Sequence, residues 1–204
     1  MVSSLREARK QATRRRVLDA ASELFERVGY DEATIRDIAR AAGVSVGSVF
    51  SNFRCKSDVL SEVMQARLGD LYSDLARAAP HLQGSTFDRC RSLFALHYAF
   101  EFRNLRLFLA YIAAAFDWRG DPEAPRFGDN PRLRGMVRDC LLVGVELGDV
   151  RRDADLDTAA DLLIAAYGWT YRHAARQETD ASALIQHFDS KARLIFEGLA
   201  PPSP

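Results

Sequence analysis

Cysteine is scarce in this 204-residue chain, with three residues, Cys55, Cys90 and Cys140, widely separated and without a CxxC pair. An odd, scattered set of that kind suggests neither a disulfide framework nor a zinc site. Buried or bystander thiols are the plain reading, and a redox sensor is the alternative. The four histidines, His81, His97, His173 and His187, show no metal-ligand spacing such as HExxH. No cofactor is called for. Apolar runs never approach the ~20 residues needed to span a bilayer, so no membrane partner is expected. The opening segment MVSSLREARKQATRRR holds no apolar stretch that could act as a secretory signal. A cytoplasmic location is therefore expected. An alternating strand pattern is also missing, whereas every long segment has a helical period. The one literal hydrolase motif, Gly43-Val-Ser45-Val-Gly47, matches G-x-S-x-G. That elbow needs a strand before it and a sheet around it, and here a helix precedes it. An enzyme is not expected.

Net charge is also lacking: 28 basic residues balance 28 acidic ones. The distribution matters more than the sum. Residues 1–58 hold 11 Lys and Arg against 8 Asp and Glu, and Arg6 to Arg16 alone carries six basic residues with one acid. Affinity for DNA comes from local cations that release condensed counterions, so a basic end is sufficient. A solvated charged tail is the bland alternative, but it leaves unexplained why the run abuts the segment that follows.

Thr34 to Phe53, TIRDIARAAGVSVGSVFSNF, reads as two short helices joined by a glycine turn. Thr34 can cap the first, with Asp37 three residues on as a capping-box partner. Ile35, Ile38, Ala39 and Ala42 fall at helical spacing and face inward. Gly43 sits where the helix must stop, because a left-handed residue there carries no Cβ penalty. Val44 fills the angle between the helices, and Ser45 caps the second. Val49 and Phe53 bury one face. Val46, Gly47, Ser48, Phe50, Ser51 and Asn52 are left to look outward or sideways. Gly47 costs a helix roughly 1 kcal/mol against Ala. Either close approach to a sugar-phosphate backbone or a tight helix crossing would favour it. A helix pair of this kind is the helix-turn-helix unit, which lays its second helix in the major groove of duplex DNA.

These residues carry a family resemblance. RRRVLDAASELFERVGY (Arg14 to Tyr30), TIRDIARAAGVSVGSVFSNF and KSDVL (Lys56 to Leu60) together resemble the N-terminal domain of TetR-family transcriptional regulators. The resemblance covers about a quarter of the chain. It implies a homodimer, a helix-turn-helix built from the second and third helices, and a variable C-terminal ligand domain. In the family it resembles, such a regulator is usually a repressor, released from a palindromic operator by a small-molecule effector. Where the family often has Tyr, then His or Arg, then Tyr or His, this chain has Phe50, Ser51 and Asn52. Phe50 keeps a ring for a thymine methyl or sugar but loses a hydroxyl. Ser45, Ser48, Phe50, Ser51 and Asn52 are expected to face base edges and backbone, with Thr34 and Lys56 holding phosphates and Arg36 a further DNA contact. Val46 and Gly47 complete that surface. The second helix has no Arg or Gln for a bidentate base pair, so readout should rest on thymine methyls and DNA shape.

The fold expectation is all-α with about nine helices. A three-helix DNA-binding head with a basic arm spans 1–56, a helical ligand-binding and dimerisation domain spans 57–200, and 201–204 is a disordered tail. The first helix stripe is Val17, Ala20, Ala21, Leu24, Phe25 and Val28, ending at Gly29-Tyr30. A fourth helix should start at Ser57 and Asp58 and run to about Ala79, ended by Pro80 and with a weak point at Gly69. Further helices are expected at Thr86–Arg103, Leu105–Trp118, Arg132–Leu147, Leu156–Gln177 and Ala181–Leu199, with a loop over Arg119–Pro131. The stretch from Phe94 to Trp118 is rich in aromatic residues. Phe94, His97, Tyr98, Glu101, Phe108 and Tyr111 are candidate ligand contacts, with Arg91 and Arg103 available for an acidic ligand. Ordinary core packing accounts for the same residues, as would a ligand-independent DNA-binding protein with a filled bundle. By the resemblance, the last two helices form a four-helix dimer interface, for which Leu163, Tyr167, Gly168, Tyr171, Ile185, Phe188 and Ile195 are the candidates. Covering the core of one chain is the alternative for these stripes.

Overall fold

The computed structural model describes residues 2–115, 130–176 and 179–201. The described residues form nine α-helices and two short 3-10 turns, with no strand among them. The helices are α1 (Val2–Val28), α2 (Ile35–Ala42), α3 (Val46–Phe50), α4 (Lys56–Ala78), α5 (Thr86–Glu101), α6 (Leu105–Ala115), α7 (Pro131–Leu147), α8 (Leu156–Ala174) and α9 (Ala181–Leu199). The all-α expectation holds. Helix starts agree with the sequence reading to within a residue, apart from α1, which carries the whole basic run. Several ends differ. Thr86–Arg103 closes as an α-helix at Glu101 and continues as a 3-10 turn over Phe102–Asn104. Gly69 does not end the helix, since α4 is continuous from Lys56 to Ala78. The sequence readings of Phe116, Trp118, residues 119–129, Gln177 and 202–204 lie outside the described residues.

The chain divides into two compact units. The first comprises α1, α2, α3, α4 as far as Gly69, and α6. Within it α1 packs against α2 and α3, burying Val17, Ala21, Leu24, Phe25, Ile38, Ala39, Ala42, Val49 and Phe53. Val28, read as part of the α1 stripe, is instead exposed, because the helix ends there. Gly29, at φ +90°, turns the chain away.

The second unit comprises α4 from Asp70 together with α5, α7, α8 and α9. Here α5 packs on α9, α9 on α8, α8 on α7 and α7 back on α5, closing a four-helix ring. Its core is aromatic and branched: Phe94, Tyr98, Val137, Leu141, Leu163, Tyr167, Leu184 and Phe188 are all 0–1% exposed. Helix ends are closed by short polar side chains. Ser85 and Asp88 form a full capping box on α5, Asn130 caps α7, Asp155 caps α8 and Asp180 caps α9. Asp149 adds a clamp between segments, accepting from the Thr86 amide at 2.8 Å and its hydroxyl at 3.0 Å. Ion pairs between Arg134 and Asp161 (α7 to α8) and between Arg91 and Asp189 (α5 to α9) tie the outer faces.

Candidate nucleic-acid interface

The helix-turn-helix is built as its residues dictate. Thr34 Oγ1 accepts from the Asp37 amide at 3.2 Å and donates to the Asp37 carboxylate at 2.5 Å. That second bond holds the carboxyl below its usual range. Gly43 adopts φ +63°, ψ +41°, and its amide closes the last turn onto Ala39 and Arg40. Ser45 caps α3 by accepting from the Ser48 amide at 3.1 Å. Val49 is fully buried and Phe53 nearly so, while Val46 and Phe50 stand out at 37% and 53% exposure. Phe50 thus leaves about half of an apolar ring in water on a five-residue helix.

Glycine 47 separates the two sequence-level explanations. A Cβ built there would meet only Ser45 Oγ, at 3.8 Å. Among the described residues no helix crosses at this point, so the tight-crossing alternative falls away and the bare face opens outward. The polar side chains just after α3 are parked on its carbonyls: Ser51 Oγ donates to the Gly47 carbonyl and Asn52 Nδ2 to the Ser48 carbonyl, both at 2.8 Å. Asn52 Oδ1 is buried without a partner. Arg36 is exposed beside the start of α2.

Three basic residues have structural work that their sequence context did not reveal. Lys56, expected to hold a phosphate, directs its ammonium to the carbonyls of Tyr30, Asp31 and Ala33 at 2.8, 3.2 and 3.0 Å. It also lies 4.2 Å from the Tyr30 ring centroid. An ammonium has three protons, and all three are taken. Arg16 donates to the carbonyls of Ala42 and Gly43 at 2.5 and 3.0 Å, closing the end of α2. Arg14 donates to the Asn52 carbonyl at 2.8 Å, pairs with Glu62 and lies over the Phe53 ring. Nothing in a run such as RRR marks which cation turns inward. The partner carbonyls come from distant helix ends.

The candidate ligand residues divide between the units. Phe94, His97, Tyr98 and Glu101 of α5 are buried, whereas Phe108 and Tyr111 stand on α6 in the first unit, ring centroids 6.2 Å apart. The α5 group meets residues assigned from sequence to another role. Both Tyr167 and Tyr171 donate their hydroxyls to the Glu101 carboxylate. Tyr98 shares a 2.7 Å hydrogen bond with Thr170. His97 Nδ1 lies 3.5 Å from Glu101 Oε1, and the ring sits between Tyr72 and Tyr167 at centroid distances of 5.5 and 5.8 Å. Burial pushes the Glu101 carboxyl up, opposed by His97 and the Tyr167 hydroxyl. Arg91, offered as a partner for an acidic ligand, is held by Asp189 at 3.0 Å.

The dimerisation residues need correction. Leu163, Tyr167, Tyr171, Ile185 and Phe188 are 0–6% exposed within one chain, and Gly168 is buried with them. Ile195 is half-buried. The six buried ones form the inner stripes of α8 and α9, and a residue enclosed by its own chain has no surface for a second one. The outer stripe is a different set: Leu162 and Trp169 on α8 at 52% and 54% exposure, and Leu194 on α9 at 70%. The sequence reading missed it because broad apolar stripes do not say which edge faces in. The one legible signal was a tryptophan seven residues from a leucine on α8.

Known proteins resemble both units. Residues 17–63 match the family model of bacterial regulatory proteins, tetR family. The HTH-type transcriptional regulator SrpR of Pseudomonas putida is 42% identical over 67 residues, covering 33% of this chain and 32% of SrpR. The match thus spans about a third of that relative's length. The HTH-type transcriptional repressor KstR2 of Mycobacterium tuberculosis is 28% identical over 143 residues, covering 69% of this chain and 70% of its own. Among solved structures, Thermus thermophilus FadR, a TetR-family transcriptional repressor in complex with lauroyl-CoA, superposes with a TM-score of 0.75 at 26% identity. That superposition covers 94% of this chain and 97% of FadR. These relatives are transcriptional regulators or repressors. With its capped helix pair, open α3 face and likeness along nearly the whole length, the chain is similar to TetR-family DNA-binding transcriptional regulators.

Proposed function

We propose that the protein is a cytoplasmic, homodimeric repressor that leaves a palindromic operator when a small molecule binds its C-terminal bundle. The observation that carries the DNA half is the unpacked face of α3 around Gly47, with Phe50 and Val46 exposed beside it. Ser45, Ser48, Phe50, Ser51 and Asn52 read bases and backbone from that face. Val46 and Gly47 allow close approach, and Thr34 and Arg36 take phosphates. Lys56 positions the head through the carbonyls of residues 30–33 and does not touch DNA. The functional boundary lies at 56/57, with the head before it. Dimerisation uses the outer stripe of α8 and α9 around Leu162, Trp169 and Leu194, since apolar side chains so far exposed need cover. Pairing doubles the DNA contact of a small head and fixes half-site spacing.

For the effector, an acyl thioester is the first class to test, because FadR of Thermus thermophilus binds lauroyl-CoA. Selection of bound duplexes from a random pool at stated salt should return a palindrome, and lauroyl-CoA should then release it. A pool that returns no consensus overturns the proposal. One observation favours a second reading, a ligand-independent regulator: inside the bundle Tyr167 and Tyr171 satisfy the Glu101 carboxylate, and Tyr98 pairs with Thr170. A palindrome whose binding no acyl thioester changes, with no calorimetric heat for that ligand, would select it.

A further inference from the structure

Cys90 on α5 and Cys140 on α7 are fifty positions apart, yet the Cys90 thiol donates to Cys140 Sγ across 3.2 Å. Both belong to the second unit. Disulfide bonds measure about 2.0 Å, so closure needs the sulfurs to approach by about 1.2 Å. The backbones there are already held close. One turn before Cys90 stands Thr86 and one turn after Cys140 stands Gly144, where any Cβ would overlap the Thr86 side chain. The third thiol, Cys55, is in the other unit, with the Ser57 hydroxyl at 2.9 Å.

The two sulfurs differ in access and in acidity. Cys90 is fully buried, whereas Cys140 is half-buried. The hydrogen bond from Cys90 holds the Cys140 thiol below its ordinary range, helped by the charge of Arg89. The same bond, together with burial, pushes Cys90 up. One thiol is thus prepared to attack and the other to follow.

We infer that Cys90 and Cys140 are a redox-active dithiol that closes to an intrachain disulfide between α5 and α7, with a peroxide as the oxidant. The Cys140 thiolate attacks a peroxide oxygen, the O–O bond breaks, and Cys140 becomes a sulfenic acid as hydroxide leaves. Cys90 Sγ then attacks the Cys140 sulfur and the S–O bond breaks. The departing hydroxide takes the Cys90 proton as water. Two thiols are oxidised by two electrons and one peroxide is reduced to two waters. A small dithiol reverses the step. The staple fixes the helix that carries His97, Tyr98 and Glu101 to its neighbour.

The test uses the full chain with Cys55→Ser, so that the exposed thiol cannot cross-link molecules. Limiting hydrogen peroxide is expected to remove both remaining thiols and lower the mass by two hydrogens. Peptide mapping should join residue 90 to residue 140. The melting temperature should rise by roughly 10 °C, the effect of constraining a loop of this length, and fall back on adding dithiothreitol. Cys90→Ser in the same background should stop at the Cys140 sulfenic acid, trapped by dimedone, with no rise. Sulfinic or sulfonic acid at Cys140 without any joined peptide in the two-cysteine protein would overturn the assignment, as would full retention of both thiols under peroxide that oxidises free cysteine.

Discussion

Single residues at the head carry two kinds of work, and each kind has its own readout. Gly47 lacks a side chain for no reason internal to the fold, since a Cβ would meet only Ser45 Oγ at 3.8 Å. Helix propensity favours alanine there by up to about 1 kcal/mol. The Gly47→Ala variant should therefore unfold in denaturant at the same or a higher midpoint, while operator affinity drops roughly tenfold, equal to about 1.4 kcal/mol. Undiminished affinity would contradict the proposed approach of α3 to the DNA backbone. Lys56 behaves in the opposite way, because its ammonium is bound to three carbonyls. Charged hydrogen bonds of this kind contribute about 1.5–3 kcal/mol, so Lys56→Met should lower stability by about that much. Its binding, measured well below the melting point, should keep the wild-type dependence on salt. Arg36→Ala is the counterpart: no change in stability, and a salt slope smaller by about one.

Helix termini set how this molecule responds to acid. Hydrogen bonds from Thr34 to Asp37, from Arg54 to Asp58, from Ser85 to Asp88 and from Thr158 to Asp155 hold these carboxyls below the usual range. A lowered folded value means stability that is present above the unfolded aspartate value of about 3.9 and lost as pH falls through the folded one. Glu101 has the reverse sign, because burial raises its folded value. Its contribution is full below the unfolded glutamate value of about 4.3 and is lost as pH rises through the raised one. Glu101→Gln keeps an acceptor for Tyr167 or Tyr171 without a titrating group. Denaturation midpoints followed from pH 5 to 8 should therefore slope less steeply downward in the variant than in the wild type. An unchanged slope would show that Glu101 titrates normally. The C-terminus of α2 is the other exposed joint. Removing Arg16 from the carbonyls of Ala42 and Gly43 should cost about 1–3 kcal/mol in a denaturant melt.

The whole molecule is proposed to work as a pair, and the buried and exposed stripes of α8 and α9 make that testable. Trp169→Glu and Leu194→Arg place charge on side chains that are 54% and 70% exposed in the single chain, so neither disturbs the monomer core. Sedimentation should show monomers, and operator affinity should fall roughly a hundredfold, about 2.7 kcal/mol, as one half-site is lost. Tyr167→Ala is the control from the inner stripe. It removes a fully buried ring and a hydrogen bond to Glu101, and should destabilise the fold by about 3–5 kcal/mol. A dimer that survives both surface changes would place the interface elsewhere.

Local chemistry was enough for some of this. The Thr34 and Ser45 caps, the left-handed turn at Gly43, the buried pair Val49 and Phe53, and the starts of nearly all helices depend on neighbours within four or five residues. The sequence alone therefore determined the all-α class, the helix-turn-helix and its outward face. Other properties are decided by partners far along the chain. Only tertiary contact turned Arg14, Arg16 and Lys56 inward to carbonyls, moved Tyr167 and Tyr171 from a presumed interface to the carboxylate of Glu101, and set Cys90 against Cys140. Periodicity tells which residues share a face of a helix. What that face meets is fixed by the packing of the other helices, and that information is not local.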